Sequence, residues 1–164
     1  MQENIVVRRV RPEDAETIGA IAAEQWKVIF DGFEEQIGKE LLDIWYPNAV
    51  ENRREGVSRC ALDPEHCLVT EVDGVVAGFV TFQINTIGDQ LVGALSNNAV
   101  SSAYKGRGIA GRQYEAVFEI MRERGCVGVS VMTGLDDAHA SARRAYEKDG
   151  FTNVLEDITY FKKL

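Results

Sequence analysis

Residues 105–111 of the chain read Lys105-Gly106-Arg107-Gly108-Ile109-Ala110-Gly111. They connect a predicted strand at 91–100 with a predicted helix that runs from residue 108 to about 123. The first N–H groups of a helix have no partner inside the helix, and the helix dipole adds roughly half a positive charge there. Glycines at 106 and 108 let the backbone approach an anion closely, while Lys105 and Arg107 add positive charge. The stretch therefore predicts an anion-binding loop of the kind that holds phosphate groups.

The same glycines, Gly106, Gly108 and Gly111, also spell G-x-G-x-x-G, which is the dinucleotide-binding fingerprint. That fingerprint follows its strand in a tight turn inside a parallel βαβ unit, whereas residues 101–105 intervene here and the upstream segment predicts a hairpin. Acidic residues at 136 and 137 lie a little over 20 positions on, as the fingerprint requires. An NAD(P)-binding oxidoreductase therefore stays open as a less favoured alternative.

The rest of the chain predicts a single α/β (α+β) domain over residues 1–164. Apolar spacing and capping signals predict helices at 11–29, 34–44, 47–61, 108–123 and 136–149. Runs of β-branched residues predict strands at 5–10, 67–72, 75–82, 91–100 and 127–133, with one or two more within 151–161. Asp73-Gly74 suits a two-residue hairpin turn. We expect a mixed, mostly antiparallel central sheet with helices on both faces, whose third hairpin strand diverges from strand 127–133.

A second informative stretch, residues 139–151, reads His139-Ala140-Ser141-Ala142-Arg143-Arg144-Ala145-Tyr146-Glu147-Lys148-Asp149-Gly150-Phe151. Ala138, Ala142, Ala145 and Tyr146 fall on one helical face, and the small alanines allow a close approach to that face. From spacing alone, Tyr146 is a core tyrosine with its hydroxyl at the edge.

Composition excludes several classes of protein. A formal net charge of −8 argues against a general nucleic-acid binder and is compatible with a cationic substrate such as an amine. No apolar run approaches the roughly 18 residues of a membrane helix, and no signal-peptide pattern is present, so we expect a cytoplasmic protein without a membrane partner. Three cysteines without a C-x-x-C pair indicate reduced thiols and no metal site.

Together the two stretches resemble the GNAT superfamily of N-acetyltransferases. Gly106 and Gly108 match that family's acetyl-CoA loop, Q/R-x-x-G-x-G/A. The helix motif N-x-x-A-x-x-x-Y-x-x-x-G-F matches at Ala142, Tyr146, Gly150 and Phe151. Two positions depart from the family pattern, with Ala103 in place of Gln or Arg and His139 in place of Asn. The predicted element order agrees with the family from Ile5 to the end of the chain.

The resemblance implies direct transfer of an acetyl group from acetyl-CoA to a primary amine, in a ternary complex. It implies that Tyr146 protonates the leaving thiolate and that a backbone N–H near Ala99 or Val100 stabilises the developing oxyanion. It further implies cofactor contacts from Ala99, Val100, Lys105, Gly106, Arg107, Gly108, Ile109, Ala110, Gly111, His139, Ser141 and Arg144. A small-molecule or peptide amine is the expected acceptor, and a homodimer is compatible with this prediction. A non-catalytic module that only binds acetyl-CoA is the main alternative.

The general base is left open by the sequence. No carboxylate lies in strand 91–100, and Asn97 and Asn98 cannot accept a proton. The candidates elsewhere are Glu34, Asp89, Asp136, Asp137 and His139, and a water chain or an acceptor that arrives deprotonated would serve equally well.

The acceptor pocket is expected between the first helices and the diverging strands. The aromatic residues of that region are Trp26, Phe30, Phe33, Trp45 and Tyr46. Beside Asp31, Glu34 and Glu35, they would suit an ammonium group through cation–π attraction and charge.

Overall fold

The computed structural model describes residues 3–164, which form one five-stranded sheet with its strands in sequence order. The strands are β1 (Ile5–Arg9), β2 (Cys67–Val72), β3 (Val75–Ile87), β4 (Gln90–Val100) and β5 (Cys126–Val131). The three pairings from β1 to β4 are antiparallel, and β4 pairs with β5 in parallel. The mixed, mostly antiparallel sheet is confirmed, and it contains no doubly wound parallel unit that would support the dinucleotide interpretation.

The helices are α1 (Ala15–Ile37), α2 (Lys39–Trp45), α3 (Ala49–Arg59), α4 (Ile109–Glu123) and α5 (Ala140–Lys148). The predicted boundary between the first two helices is wrong, because α1 continues to Ile37 and ends at Gly38, whose φ is +81°. Gly32 lies inside α1 without a positive φ. A single glycine that keeps a helical backbone costs about 1 kcal/mol relative to alanine, which a long packed helix tolerates.

Helices cover both faces of the sheet. Val69 and Phe79 pack with Ile18 and Ala22 of α1 and Val57 of α3. Their chain neighbours Leu68 and Val80 pack with Tyr114 and Val117 of α4. Because successive side chains of a strand point to opposite faces, one pair of central strands supplies both cores.

The predicted strands within 151–161 are absent, so this prediction is wrong. Residues 149–164 contain no helix or strand, and Val154 and Tyr160 are exposed. Phe161 instead packs edge-on against Trp45 of α2, with ring centroids 5.2 Å apart, and Lys163 pairs with Glu40. Strand propensity reflects packing on a pleated surface, so β-branched residues that lack a pairing partner do not form a strand.

Strand β4 separates from β5 halfway along its length. The pairing runs from Leu91 with Cys126 to Leu95 with Val131, and residues 96–100 have no β5 partner within the described chain. On its other edge β4 stays paired with β3 through an irregularity, where the Thr81 hydroxyl accepts the Asn97 N–H at 2.9 Å and donates to the Asn97 carbonyl at 3.2 Å. The result is an opening in the sheet beside residues 96–100, as predicted for this strand.

A buried ion pair fixes the beginning of α1 against β1. The Arg8 guanidinium donates to both carboxylate oxygens of Asp14, at 2.7 and 3.0 Å, and the Arg11 N–H donates to the same carboxylate at 2.8 Å. The Asp14 side chain is only 6% exposed. The Arg8 hydrogen bond, with help from the Arg11 N–H, holds the pKa of Asp14 below its ordinary value.

Replacing Asp14 with Asn should lower the free energy of unfolding by about 2 kcal/mol at neutral pH, because the change removes one of the two carboxylates that pair with Arg8 and leaves only Glu71. A folded-state pKa below the unfolded value means that this stability is present above about pH 4 and is lost as the pH falls through the folded pKa. Urea unfolding from pH 7 to pH 3 should therefore show the two proteins converging in acid. Asp31→Asn, which breaks an exposed pair with Lys27, should change little. A difference for Asp14→Asn that stays constant with pH would contradict the assignment.

Candidate active site

The glycine loop is open on the side where a ligand would approach. Gly106 and Gly108 have φ values of +80° and +73°, and a Cβ built on either would meet no atom within 4 Å. Gly108 directly precedes α4. The backbone N–H groups of residues 106–111 donate to no acceptor within residues 3–164. The loop therefore presents a row of free donors at a helix N-terminus, which is the arrangement that binds phosphates.

The side chains of the loop have different environments. Arg107 lies over the Tyr104 ring at 5.0 Å, pairs with Glu3 and donates to the Ala103 carbonyl at 3.1 Å. Lys105 is exposed and forms no ion pair within the described chain. Arg107 is thus engaged by the protein, whereas Lys105 has no ion-pair partner within residues 3–164 and is available to a ligand.

The inner end of the loop lies close to α5. Ile109 is buried, and Ala110 and Gly111 are half-buried. A Cβ on Gly111 would lie 3.3 Å from a carboxylate oxygen of Asp149, and burial raises the pKa of that carboxyl group. This acid beside the loop was not predicted, since only the tertiary contact between α4 and α5 brings it there.

Tyr146 is joined to the open part of β4 by a side-chain hydrogen bond. The Asn98 amide nitrogen donates to the Tyr146 hydroxyl at 3.0 Å, and the Tyr114 hydroxyl donates to the Asn98 amide oxygen at 2.8 Å. The nearest acceptor for the proton of Tyr146 is that same amide oxygen at 3.4 Å. Tyr146 is buried, and burial raises its pKa. The phenol thus stays protonated at neutral pH and holds its proton in only a long hydrogen bond.

Backbone alternation determines which N–H groups of β4 face the opening. The N–H of Ser101 donates to the Ala77 carbonyl at 2.8 Å, and the N–H of Asn97 donates to Thr81, so both point towards β3. Along a strand these directions alternate. The N–H groups of Asn98 and Val100 therefore face the opening, whereas that of Ala99 points towards β3.

A histidine–aspartate pair lies in the connection from β5 to α5. His139 Nδ1 is 2.8 Å from the Asp136 carboxylate, and its ring stacks on Phe33 of α1 with centroids 6.2 Å apart. Burial alone would raise the pKa of Asp136, but the hydrogen bond and charge of His139 outweigh it and hold that pKa below its ordinary value. The structure places His139 beside the aromatic residues of α1, whereas the resemblance implied a contact with the cofactor.

The remaining residues of α5 predicted to contact the cofactor are on its surface. Ser141 and Arg144 are exposed and have no hydrogen-bond partner within residues 3–164. Their neighbour Arg143 donates to the carbonyls of Gly134 and Asp136 at 2.6 and 2.7 Å, and so braces the loop that carries the histidine–aspartate pair.

A cleft of about 340 Å³ lies on the other side of β4, between that strand and helices α1, α2 and α3. Its lining residues are Phe30, Trp45, Tyr46, Pro47, Ala49, Asn52, Arg53, Gly56, Val57 and Asn97. This is where an acceptor pocket was expected, although Asp31, Glu34 and Glu35 do not line it. A second groove, of about 420 Å³, lies along β5 and residues 149–153.

The structure narrows the candidates for a general base. Asp89 lies in the turn between β3 and β4, nine residues before Asn98, or about 30 Å away along an extended strand. Glu34 and Asp137 are exposed. Only Asp136 and His139 are both half-buried and hydrogen-bonded to each other. Among residues 3–164, no group of three or more His, Cys, Asp or Glu side chains could hold a metal ion.

A mixed sheet that opens beside a glycine loop at a helix N-terminus defines an acetyl-CoA-dependent acyltransferase. The model of the Acetyltransferase (GNAT) family matches residues 26–151, and the chain belongs to this family. It is an N-acetyltransferase, and acetyl-CoA is its co-substrate.

Solved structures agree on the fold. An aminoglycoside N-acetyltransferase in complex with CoA is 17% identical with a TM-score of 0.63, and the match covers 100% of this chain and 98% of that one. A ribosomal-protein-alanine N-acetyltransferase from Brucella melitensis biovar Abortus 2308 is 16% identical with a TM-score of 0.64, covering 98% and 99%. An aminoglycoside acetyltransferase from an uncultured soil metagenomic sample, in complex with sisomicin, is 15% identical with a TM-score of 0.59, covering 98% and 96%.

No curated protein matches the chain in sequence. Within residues 3–164, none of the helices combines the length and the apolar character needed to cross a membrane.

Gly108→Asp should weaken acetyl-CoA binding at least about tenfold, because it places a carboxylate against the pyrophosphate at the helix N-terminus. Gly88→Asp is the matched control, since Gly88 also has a positive φ, +59°, and open space around it but lies in the β3–β4 turn. Calorimetric titration with acetyl-CoA should separate the two variants. Equal affinity of the two variants for acetyl-CoA would show that the loop is not part of the cofactor site.

Proposed function

We propose that acetyl-CoA binds across the opening between β4 and β5, with its pyrophosphate on the N–H groups of residues 106–111. Lys105 supplies charge at the outer rim. The pantetheine arm then runs along the unpaired edge of β4, where the Asn98 and Val100 N–H groups have no strand partner in the part of the chain that the structure describes. This route brings the thioester towards Tyr146, which Asn98 holds beside the same edge.

The observation that carries this proposal is the hydrogen bond from the Asn98 amide to the Tyr146 hydroxyl. It connects the strand edge that would hold the pantetheine arm with the buried phenol that would act on its sulfur. The bond holds the hydroxyl beside the unpaired edge of β4, where the proposed pantetheine arm would pass. The same bond favours an enzyme over a module that only binds acetyl-CoA.

In the proposed reaction the amine nitrogen attacks the thioester carbon, and the carbon–sulfur bond then breaks. The carbonyl oxygen becomes negatively charged, and a backbone N–H that faces the opening, that of Val100 or Asn98, stabilises it. The departing thiolate takes the proton of Tyr146. The amine loses its proton to a base on the acceptor side.

His139 is the base that the geometry favours. The Asp136 carboxylate accepts a hydrogen bond from the Nδ1–H of His139. This fixes the tautomer of the imidazole and leaves its Nε2 to accept a proton. His139 and Tyr146 are seven residues apart, about two helical turns or roughly 10 Å. At that separation, a water molecule would relay the amine proton to His139.

A cytoplasmic location and a homodimer stay predictions from the sequence.

Tyr146→Phe keeps the ring and its packing but removes the proton. We expect kcat to fall about 10²- to 10⁴-fold, while the affinity for acetyl-CoA changes little. Tyr114→Phe removes the deeper hydroxyl of the same cluster, and it should cost about 1 kcal/mol of stability with a much smaller effect on kcat. Steady-state kinetics and thermal unfolding of both variants are the measurements. Full turnover by Tyr146→Phe would exclude it as the acid.

His139→Gln should lower kcat about 10²-fold or more, because the amine then lacks its proton acceptor. The chain contains its own control, because His66 repeats the arrangement with Asp63 three residues before it and Nδ1 at 3.0 Å from that carboxylate. His66→Gln changes the same chemical pair at an exposed position and should leave kcat nearly unchanged. If both variants behave alike, His139 is not the base.

A further inference from the structure

Arg53 of α3 is a half-buried cation in the wall of the acceptor cleft. Its guanidinium lies over the Trp26 ring, 4.9 Å from the centroid, and donates to the Asn97 side-chain oxygen. The other arginines of α3 behave differently, since Arg54 pairs with Glu51 at 2.6 Å and Arg59 lies 3.8 Å from Glu55. Within residues 3–164, Arg53 has no carboxylate partner.

A half-buried charge without a counter-ion has lost part of its hydration, which the negative group of a ligand would replace. Burial lowers the pKa of Arg53, but a guanidinium remains protonated in proteins. The group carries five N–H donors in a planar fork that matches a carboxylate, and Asn97 accepts only one of them. Donors therefore remain for a ligand in the cleft.

The other residues that line the cleft are uncharged. Its ten lining residues include no Asp or Glu, and Arg53 is their only charged member. Phe30, Trp45 and Tyr46 form an apolar wall beside it. In a chain with a net charge of −8, the cleft is thus a locally positive, partly apolar site. Such a site disfavours an acceptor with several ammonium groups and favours one with a negative group.

We propose that the acetyl acceptor is a small amine that also carries a carboxylate, an amino acid with an apolar side chain, and that Arg53 binds its carboxylate. The apolar side chain lies against the aromatic wall. Asn97, which holds Arg53, directly precedes Asn98, which holds Tyr146, so the carboxylate subsite and the transfer centre are adjacent along β4. This assignment rests on the proposed acetyl transfer and specifies its substrate class.

Matched pairs of acceptors test the assignment without any mutation. Phenylalanine is compared with phenethylamine, tryptophan with tryptamine, and leucine with 3-methylbutylamine, and the release of CoA thiol is followed. Each pair differs only in the carboxylate. We expect kcat/KM to be about 10- to 100-fold higher for the amino acid, because a charged, two-pronged hydrogen bond is lost with its partner. Sisomicin, a polyamine, should be a poor acceptor.

Variants separate recognition from a purely structural role of Arg53. Arg53→Gln removes the charge, so the ratio of kcat/KM for the amino acid to kcat/KM for its decarboxylated amine should fall close to one. Arg53→Lys keeps the charge without the planar fork of donors and should retain part of that ratio. Arg59→Gln changes an exposed arginine of the same helix and should retain all of it. A structural role predicts equal losses for both members of each pair.

The outcomes distinguish this assignment from the acetyl transfer on which it rests. Equal or better use of the decarboxylated amines by the unmodified protein overturns the carboxylate subsite and leaves the acetyl transfer intact. Acetyl-CoA binding without acetylation of any of the three amino acids also overturns it. Failure to bind acetyl-CoA would instead count against the cofactor site.

Discussion

The separation of β4 from β5 is the constraint on which the rest of this molecule depends. Pairing stops at Leu95 and Val131, so residues 96–100 are bonded to β3 on one edge and open on the other. The Thr81 hydroxyl satisfies both backbone groups of Asn97 at the irregularity and so stabilises the path that β4 takes. In a fully paired sheet the N–H groups of Asn98 and Val100 would be consumed by hydrogen bonds. Here they are available to a ligand.

Two consecutive asparagines of β4 point to opposite faces of the sheet and contact different parts of the proposed site. Side chains alternate along a strand, so Asn97 points to the cleft and meets Arg53, while Asn98 points to α4 and α5 and meets Tyr146. One strand thereby sets the distance between the acceptor side and the cofactor side. This coupling explains why amide side chains, which cannot take part in proton transfer themselves, occupy the centre of the site.

Features that depend on neighbouring residues, such as turns and the glycine loop, could be predicted from the sequence. Pairing between distant segments could be predicted only in part. Asp73 and Gly74 both have positive φ values, +50° and +82°, as the hairpin turn requires, and the glycine loop has the strand–loop–helix setting expected from its residues. The strands expected within 151–161 fail because their formation depends on a neighbouring strand edge. Arg53 was missed because it lies in a polar helix. Only the tertiary fold shows that, of the three arginines of α3, it alone has no acidic partner within residues 3–164. The role of Asn98 could not be predicted either, since its contact with Tyr146 spans 48 residues.

The most direct test of the account is a crystal structure of the protein with CoA. We expect the pyrophosphate on the N–H groups of residues 106–111, the pantetheine arm against Asn98 and Val100, and the sulfur within about 4 Å of the Tyr146 hydroxyl oxygen. A pantetheine arm that ran instead through the groove beside β5 and residues 149–153, with its sulfur far from Tyr146, would contradict the central claim that the opening in the sheet is the transfer site.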